Sequence, residues 1–202
     1  MADWIQGRGE LMTAESVGDV LWSPDLVKQK RAGYTVEDVL NLPDDAPRVE
    51  LADGVLTVVP SPTGGHQRIN WRLVGWLDQH LPDGFEPQMA VGVMVDHDFT
   101  LEPDALILHS PVDLDHHFFQ PEQVVAVIEI VSPGTRRRDR LVKPALYAAA
   151  GIPHYWRIEQ DPLHVFAYDL VGDSYRLVAD ATEQLVLSKP FEIVLPIRDI
   201  TP

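Results

Sequence analysis

Glu129 interrupts an apolar run that extends from Val124 to Val131. A run of that length, rich in β-branched residues, reads as a strand buried on both faces of a sheet. An ionised carboxylate there is costly unless it is paired or binds a cation. Upstream, Glu102-Pro103-Asp104 leads into a second apolar run, Ala105 to Leu108. Downstream, Arg136, Arg137, Arg138, Arg140 and Lys143 gather five of the sixteen basic residues into eight positions. Adjacent strands lie about 4.8 Å apart, a separation that two carboxylates can bridge through one cation. Mg²⁺ and Mn²⁺ take hard oxygen ligands of this kind, which makes Asp104 and Glu129 the candidate metal ligands. Metal-assisted attack on a phosphodiester also needs positive charge for the developing phosphorane oxygens. Lys143 or an arginine of the basic segment can supply it.

Composition narrows the setting. At 202 residues the chain suits one domain with an arm, and an apolar fraction of 45% is enough for a real core. Cysteine is absent, which excludes disulfides and thiolate metal sites. No apolar stretch approaches the length of a membrane span. Met1 to Met12 has no signal-peptide core, so a cytoplasmic location is expected. The net charge of −15 argues against broad, non-specific duplex binding, which depends on many phosphate neutralisations. A polyanion that docks on this chain docks on the segment from 136 to 143, and the acidic remainder repels it elsewhere.

The elements that must position these residues can be read from pattern. Residues 1–30 lack a period and read as an N-terminal arm, with the folded domain expected over 31–202. Thr35 is an N-cap for a short helix that stops before Pro43. Arg48 to Leu51, the turn Ala52-Asp53-Gly54 and Val55 to Val59 predict a hairpin. The loop Ser61 to Gly65 opens a helix from about His66 to His80, with Ile69, Leu73, Trp76 and Leu77 as its apolar stripe. Met89 to Val95 reads as a strand, Asp96-His97-Asp98 as a hairpin tip, and Pro111 to Gln123 as a loop. A helix beginning near Leu141 to Pro144 runs toward Ala150 and is closed by Gly151. Short strands follow at 154–158, 163–168, 175–178, 185–187 and 191–195. The pattern is α/β with a mixed sheet and an antiparallel C-terminal half.

Several segments together resemble a known family. They are Tyr34-Thr35-Val36-Glu37-Asp38, Glu50-Leu51-Ala52-Asp53-Gly54, Pro103-Asp104, Ile128-Glu129-Ile130-Val131-Ser132-Pro133, Asp139 with Lys143 and Tyr147, and Gly151-Ile152-Pro153-His154-Tyr155-Trp156. In this order and spacing the chain, from about residue 34 to 195, resembles the Uma-two family of restriction endonucleases within the PD-(D/E)XK nuclease superfamily. The resemblance implies a restriction-endonuclease-like mixed central sheet flanked by helices, with Glu50, Asp104 and Glu129 as the acidic cluster. It implies Lys143 as a displaced catalytic lysine. In the parent superfamily that lysine sits two residues after the glutamate, where this chain has Val131. His66 falls at the family's early helix and is an accessory candidate. Tyr147, one turn after Lys143, reads as a packing residue that positions the lysine.

These observations lead to an expected Mg²⁺- or Mn²⁺-dependent endonuclease acting on DNA. Asp104 and Glu129 would bind metal, Glu50 would assist, and Lys143 would stabilise or activate the attacking water. Arg136, Arg137, Arg138 and Arg140 would hold backbone phosphate, and a homodimer is compatible with cutting two strands. The rival reading is a catalytically inactive nuclease-fold module that binds protein or nucleic acid. A further rival is a structural homodimer subunit whose acidic cluster is incidental. Each residue also has a structural reading. Glu129 can sit in an arginine ion pair, Lys143 can pair with Asp139 one turn away, and Glu50 can be a solvated charge. The His- and Asp-rich segment Asp113 to His117 reads as a solvated loop, and Tyr155, Trp156, Phe166 and Tyr168 as core or a dimer face.

Overall fold

The computed structural model describes residues 31–44, 46–132, 134 and 136–202, so the arm at 1–30 lies outside the described residues. Asp38 N donates to Thr35 Oγ1 at 3.3 Å and Thr35 N donates to Asp38 Oδ2 at 2.8 Å. This capping box starts α1 (Val36–Leu40) as the sequence predicts. The hairpin of β1 (Val49–Ala52) and β2 (Val55–Val58) turns on Asp53 and Gly54, both at positive φ. That backbone twist suits a two-residue connection, and Gly54 adopts it without a steric penalty. Thr63 caps α2 (Gly64–His80), which buries Ile69, Leu73 and Leu77.

Beyond α2 the predicted strand from Met89 to Val95 divides in two. Ala90 has φ 60°, so β3 (Phe85–Met89) ends there and β4 (Gly92–Asp96) starts in a different sheet. β3 escapes the apolar pattern because it is an edge strand carrying Pro87, a residue that edges tolerate. β5 (Phe99–Leu101) returns antiparallel to β4, and β6 (Ala105–His109) enters the main sheet. The loop expected from Pro111 to Gln123 contains a short β7 (Phe118–Phe119), parallel to β4. Gly92 permits that pairing: a Cβ there would lie 2.6 Å from the Phe118 ring.

β8 (Val124–Ile130), a helical turn of π type (Arg138–Val142), α3 (Lys143–Ala149) and β9 (His154–Gln160) form a crossover that joins two parallel strands. Gly151, at φ 77°, supplies the left-handed residue just past α3. β10 (Leu163–Val171) and β11 (Ser174–Ala181) continue antiparallel, and β12 (Gln184–Leu187) pairs with β13 (Ile193–Pro196) before α4 (Ile197–Ile200). The main sheet has the order β11-β10-β9-β8-β6-β3, parallel only at β8–β9. It is thus the mixed sheet with an antiparallel C-terminal half that the sequence predicts.

Both faces of the sheet are covered. α2 packs with Ile107, Ile128, Trp156 and Ile158 on one face, where Leu185, Leu195 and Ile200 also pack. On the other face Tyr147 and Ile152 pack with Leu106, Leu108, Val127 and Tyr155. Past the register shift near the start of β8, strand alternation sends Ala126, Ile128 and Ile130 toward α2 and Val127 and Glu129 toward α3.

Candidate active site

Asp104 stands immediately before β6, and Glu129 is the penultimate residue of β8. The antiparallel register pairs Ala105 with Ile128, which brings the two carboxylates to the same end of the sheet. The Ile130 N–H donates to Asp104 Oδ2 at 2.7 Å, and His66 Nε2 lies 3.2 Å from the same oxygen. One turn along α2, Asn70 Nδ2 donates to the Asp104 carbonyl at 2.8 Å. Asp104 is thus fixed from three sides by one strand and one helix.

Glu129 is held from α3. Lys143, the first residue of that helix, donates through Nζ to Glu129 Oε1 at 2.8 Å and to the Glu102 carbonyl at 3.4 Å. Tyr147, one turn later, donates its hydroxyl to the same Glu129 oxygen at 2.5 Å. Lys143 Nζ also lies 3.8 Å from Glu50 Oε1 and 3.8 Å from Asp139 Oδ1. The expected Lys143–Asp139 contact therefore exists, but the shorter contact is to Glu129. Pro144 sits within the first turn of α3, where the missing N–H costs nothing. The preceding π turn is a local distortion of the kind that gathers at functional sites.

Burial dominates the electrostatics. Glu129 is 2% exposed, and loss of water pushes its carboxyl up to about 8 despite the opposing pull of Lys143. Burial also works against the Lys143 charge, but Glu129, Glu50 and Asp139 outweigh it and hold the ammonium above its usual range. Lys143 is accordingly a fixed cation. Burial lowers the affinity of His66 for a proton, and Asp104 more than offsets it, so the imidazole is raised above its usual value.

Glu50, Asp104, Glu129 and Lys143 all line one cleft of about 540 Å³, walled by β2 and the loop from Pro60 to Thr63. Asp104 and Glu129 each use one oxygen on the protein scaffold, and neither of their second oxygens has a hydrogen bond among the described residues. Two hard oxygens at the end of a cleft fit Mg²⁺ or Mn²⁺. Glu50 is committed differently: Arg138 forms an ion pair with it, and Lys143 is its second cation. Within the described residues, the group of three ligand atoms converging within 4.8 Å is Asp96-His97-Asp98. That group is the predicted hairpin tip between β4 and β5, where the His97 N–H caps Asp96 at 2.6 Å.

The basic segment divides. Arg138 faces Glu50, and Arg140 makes a two-pronged pair with Glu159 at 2.8 Å on each prong. Arg136 and Arg137 are exposed. Arg138→Ala is expected to destabilise the fold by about 1–2 kcal/mol, because it strips a partner from a buried carboxylate. Arg136→Ala and Arg137→Ala should stay within about 0.5 kcal/mol. Urea unfolding of the three variants checks this, and equal stabilities would refute the division.

Asn70 and Glu102 belong to the site although sequence reading did not single them out. Asn70 had a signal, since it lies four residues after His66 on one helix face. Glu102 contributes its backbone carbonyl to Lys143 and its side chain to Arg48 at 2.9 Å. Neither role has a local signature. The loop from Asp113 to His117 is exposed, and Tyr155 and Trp156 are core, as the structural readings had it.

Comparisons with known proteins agree with this fold. A solved structure described as "a putative nuclease belonging to DUF820", from Anabaena variabilis ATCC 29413, superimposes with a TM-score of 0.65. It is 21% identical, and the alignment covers 83% of this chain and 97% of that one, a likeness that establishes the fold. No curated protein matches the chain. The model of a family described as "Putative restriction endonuclease" matches residues 36–198. That span runs from α1 into α4 and contains every residue of the cleft, and on it the chain belongs to the Uma2 family.

Proposed function

We propose that the chain is a divalent-metal-dependent endonuclease that cleaves phosphodiester bonds in DNA. The observation that supports this reading most strongly is Glu129, a buried carboxylate held by Lys143 and Tyr147 and facing the same cleft as Asp104. An isolated carboxylate at that depth is destabilising, so its presence asks for a function. Asp104 and Glu129 hold the cation. When bound, Mg²⁺ or Mn²⁺ supplies an acidified water and neutralises charge on the scissile phosphate. Lys143 keeps its proton and donates toward negative charge that develops on the phosphoryl oxygens. His66 and Asn70 fix Asp104, while Tyr147 fixes Glu129. Arg136 and Arg137 contact backbone phosphate, a positioning contact without sequence information.

The test is nicking of supercoiled plasmid with Mg²⁺, with Mn²⁺ and with EDTA, alongside calorimetric titration of each metal. Wild type is expected to cleave only with metal. Asp104→Asn should lose metal binding and reduce cleavage at least about 10³-fold, in line with removal of an electrostatic stabiliser. Cleavage that persists in EDTA or in folded Asp104→Asn overturns the reading. The second reading, a nuclease fold that binds without cutting, draws on one observation: Arg138 neutralises Glu50 inside the cleft. It predicts DNA binding without nicking under every metal condition.

A further inference from the structure

α3 separates two cavities. Lys143 lines the carboxylate cleft and the buried Tyr147 reaches its Glu129, whereas Pro144, Ala145 and Ala148 line a second pocket of about 310 Å³. These small side chains leave the β9–β11 edge of the sheet's α3 face incompletely covered. The floor there is aromatic across three neighbouring strands: Tyr155 on β9, Tyr168 on β10 and Tyr175 on β11. Their rings stand 5.7 Å (Tyr155–Tyr168) and 5.4 Å (Tyr155–Tyr175) apart. Tyr155 is buried, but Tyr168 and Tyr175 are half-buried and present ring surface to the pocket.

Charge is arranged along the same floor. The Arg157 guanidinium lies 4.5 Å from the centre of the Phe166 ring and 5.7 Å from that of Tyr168. Its Nε is buried and 3.3 Å from Glu159, yet makes no hydrogen bond of acceptable geometry. Arg140 also lines the pocket, and both arginines contact Glu159, Arg140 through Nε and Nη2 and Arg157 through Nε at 3.3 Å, which leaves the remaining guanidinium N–H groups to meet an anion. Asp173, on the turn before β11, and Ser174, the first residue of β11, are exposed and form the polar rim.

We infer that this pocket binds a single nucleotide, with the base on Tyr168 and Tyr175 and the phosphate at Arg157 and Arg140. Aromatic side chains carried on a sheet surface are suited to stacking unpaired bases. Arginine suits the phosphate, since its planar fork pairs with anionic oxygens and tolerates aromatic stacking. The volume lies at the small end for ligand sites, which fits one nucleotide and excludes a duplex. Asp173 and Ser174 provide an acceptor and a donor for ribose hydroxyls or a base edge. The nucleotide comes either free from solution or as the unpaired end of a strand whose scissile bond lies elsewhere. Occupancy also bears on the cleft: Tyr155 donates to the Asp139 carbonyl at 2.8 Å, and its ring lies 5.9 Å from that of Tyr147.

The whole chain is titrated in EDTA with adenosine 5′-monophosphate, with thymidine 5′-monophosphate, with adenosine, and with a short 5′-phosphorylated single strand. Binding is read by calorimetry and by tyrosine ring chemical shifts. Ala145→Trp fills the pocket from an exposed helix position, and Tyr168→Ala removes the stacking ring; circular dichroism checks the fold of both. Monophosphates that bind, outcompete adenosine, and weaken at least about ten-fold in both variants establish a free-nucleotide site. Binding of the strand alone, with the same sensitivity, establishes a strand-end site. Absence of binding by every probe, or binding that neither variant weakens, overturns the inference. Because no metal is present, failure of plasmid cleavage counts against the proposed function and leaves this titration standing.

Discussion

Glutamine at position 129 is expected to stabilise the metal-free protein above pH 8 while abolishing metal-dependent cleavage. Burial raises the Glu129 carboxyl from 4.5 to about 8, so the folded state favours its protonated form. A carboxyl raised in this way contributes stability that is fully present below pH 4.5 and is lost as the pH climbs to about 8. The loss is on the order of 5 kcal/mol as an upper bound. Glutamine keeps an acceptor for Lys143 and Tyr147 but never ionises, so its stability should be nearly flat over that window. Urea unfolding at pH 5, 7 and 9 separates the two: the curves should nearly coincide at pH 5 and diverge at pH 9. Saturating Mn²⁺ should then stabilise wild type and not the variant, because a ligand that binds only the native state adds its binding free energy. A Glu129→Gln protein that is less stable than wild type at pH 9 would sink this account.

Lys143→Met carries the second large effect. It leaves Glu129 and Asp139 buried without their nearest ammonium and Glu50 with Arg138 alone. Removing one partner from such a group costs about 3–5 kcal/mol where Glu129 is ionised, above pH 8, and less below it. Loss of a preorganised donor at the developing charge lowers cleavage about 10²–10³-fold. Lys143→Arg should not rescue activity, since the larger planar fork cannot occupy the position of a point-like ammonium between three carboxylates. The double variant Glu129→Gln/Lys143→Met should recover much of the lost stability and none of the activity, a non-additivity expected of groups in direct contact. If the two single effects on stability simply add, the pair is not the coupled unit drawn above.

The carboxylates were legible because each breaks a strong local pattern: Glu129 a buried strand, Asp104 the approach to one. Lys143 is legible through the basic segment and the family resemblance, Tyr147 through its spacing of one turn from Lys143, and the register of β6 on β8 brings both acids to one end. The two-residue turn at Asp53-Gly54 and the cap at Thr35 also followed from short-range chemistry. What resisted was long-range or patternless. The basic segment looked like a uniform phosphate clamp, yet Arg138 and Arg140 are claimed by Glu50 and Glu159, partners that no local spacing reveals. β3 has no readable pattern because Phe85–Met89 carries a proline and no alternation, and the apolar run from Met89 to Val95 hides the break at Ala90.

The placement of Lys143 on α3, and not on the strand that carries Glu129, changes what a partly assembled chain can do. Glu129 and its cation are fourteen positions apart and meet only after the crossover has closed over the sheet. Until then β8 carries an acid with no counter-charge, and the cleft has no fixed ammonium. The ammonium on which the proposed chemistry depends is therefore missing from the cleft until the crossover closes, and is withdrawn whenever α3 lifts away. On the proposed function, a chain whose crossover is still open carries the acids without the ammonium and does not cleave.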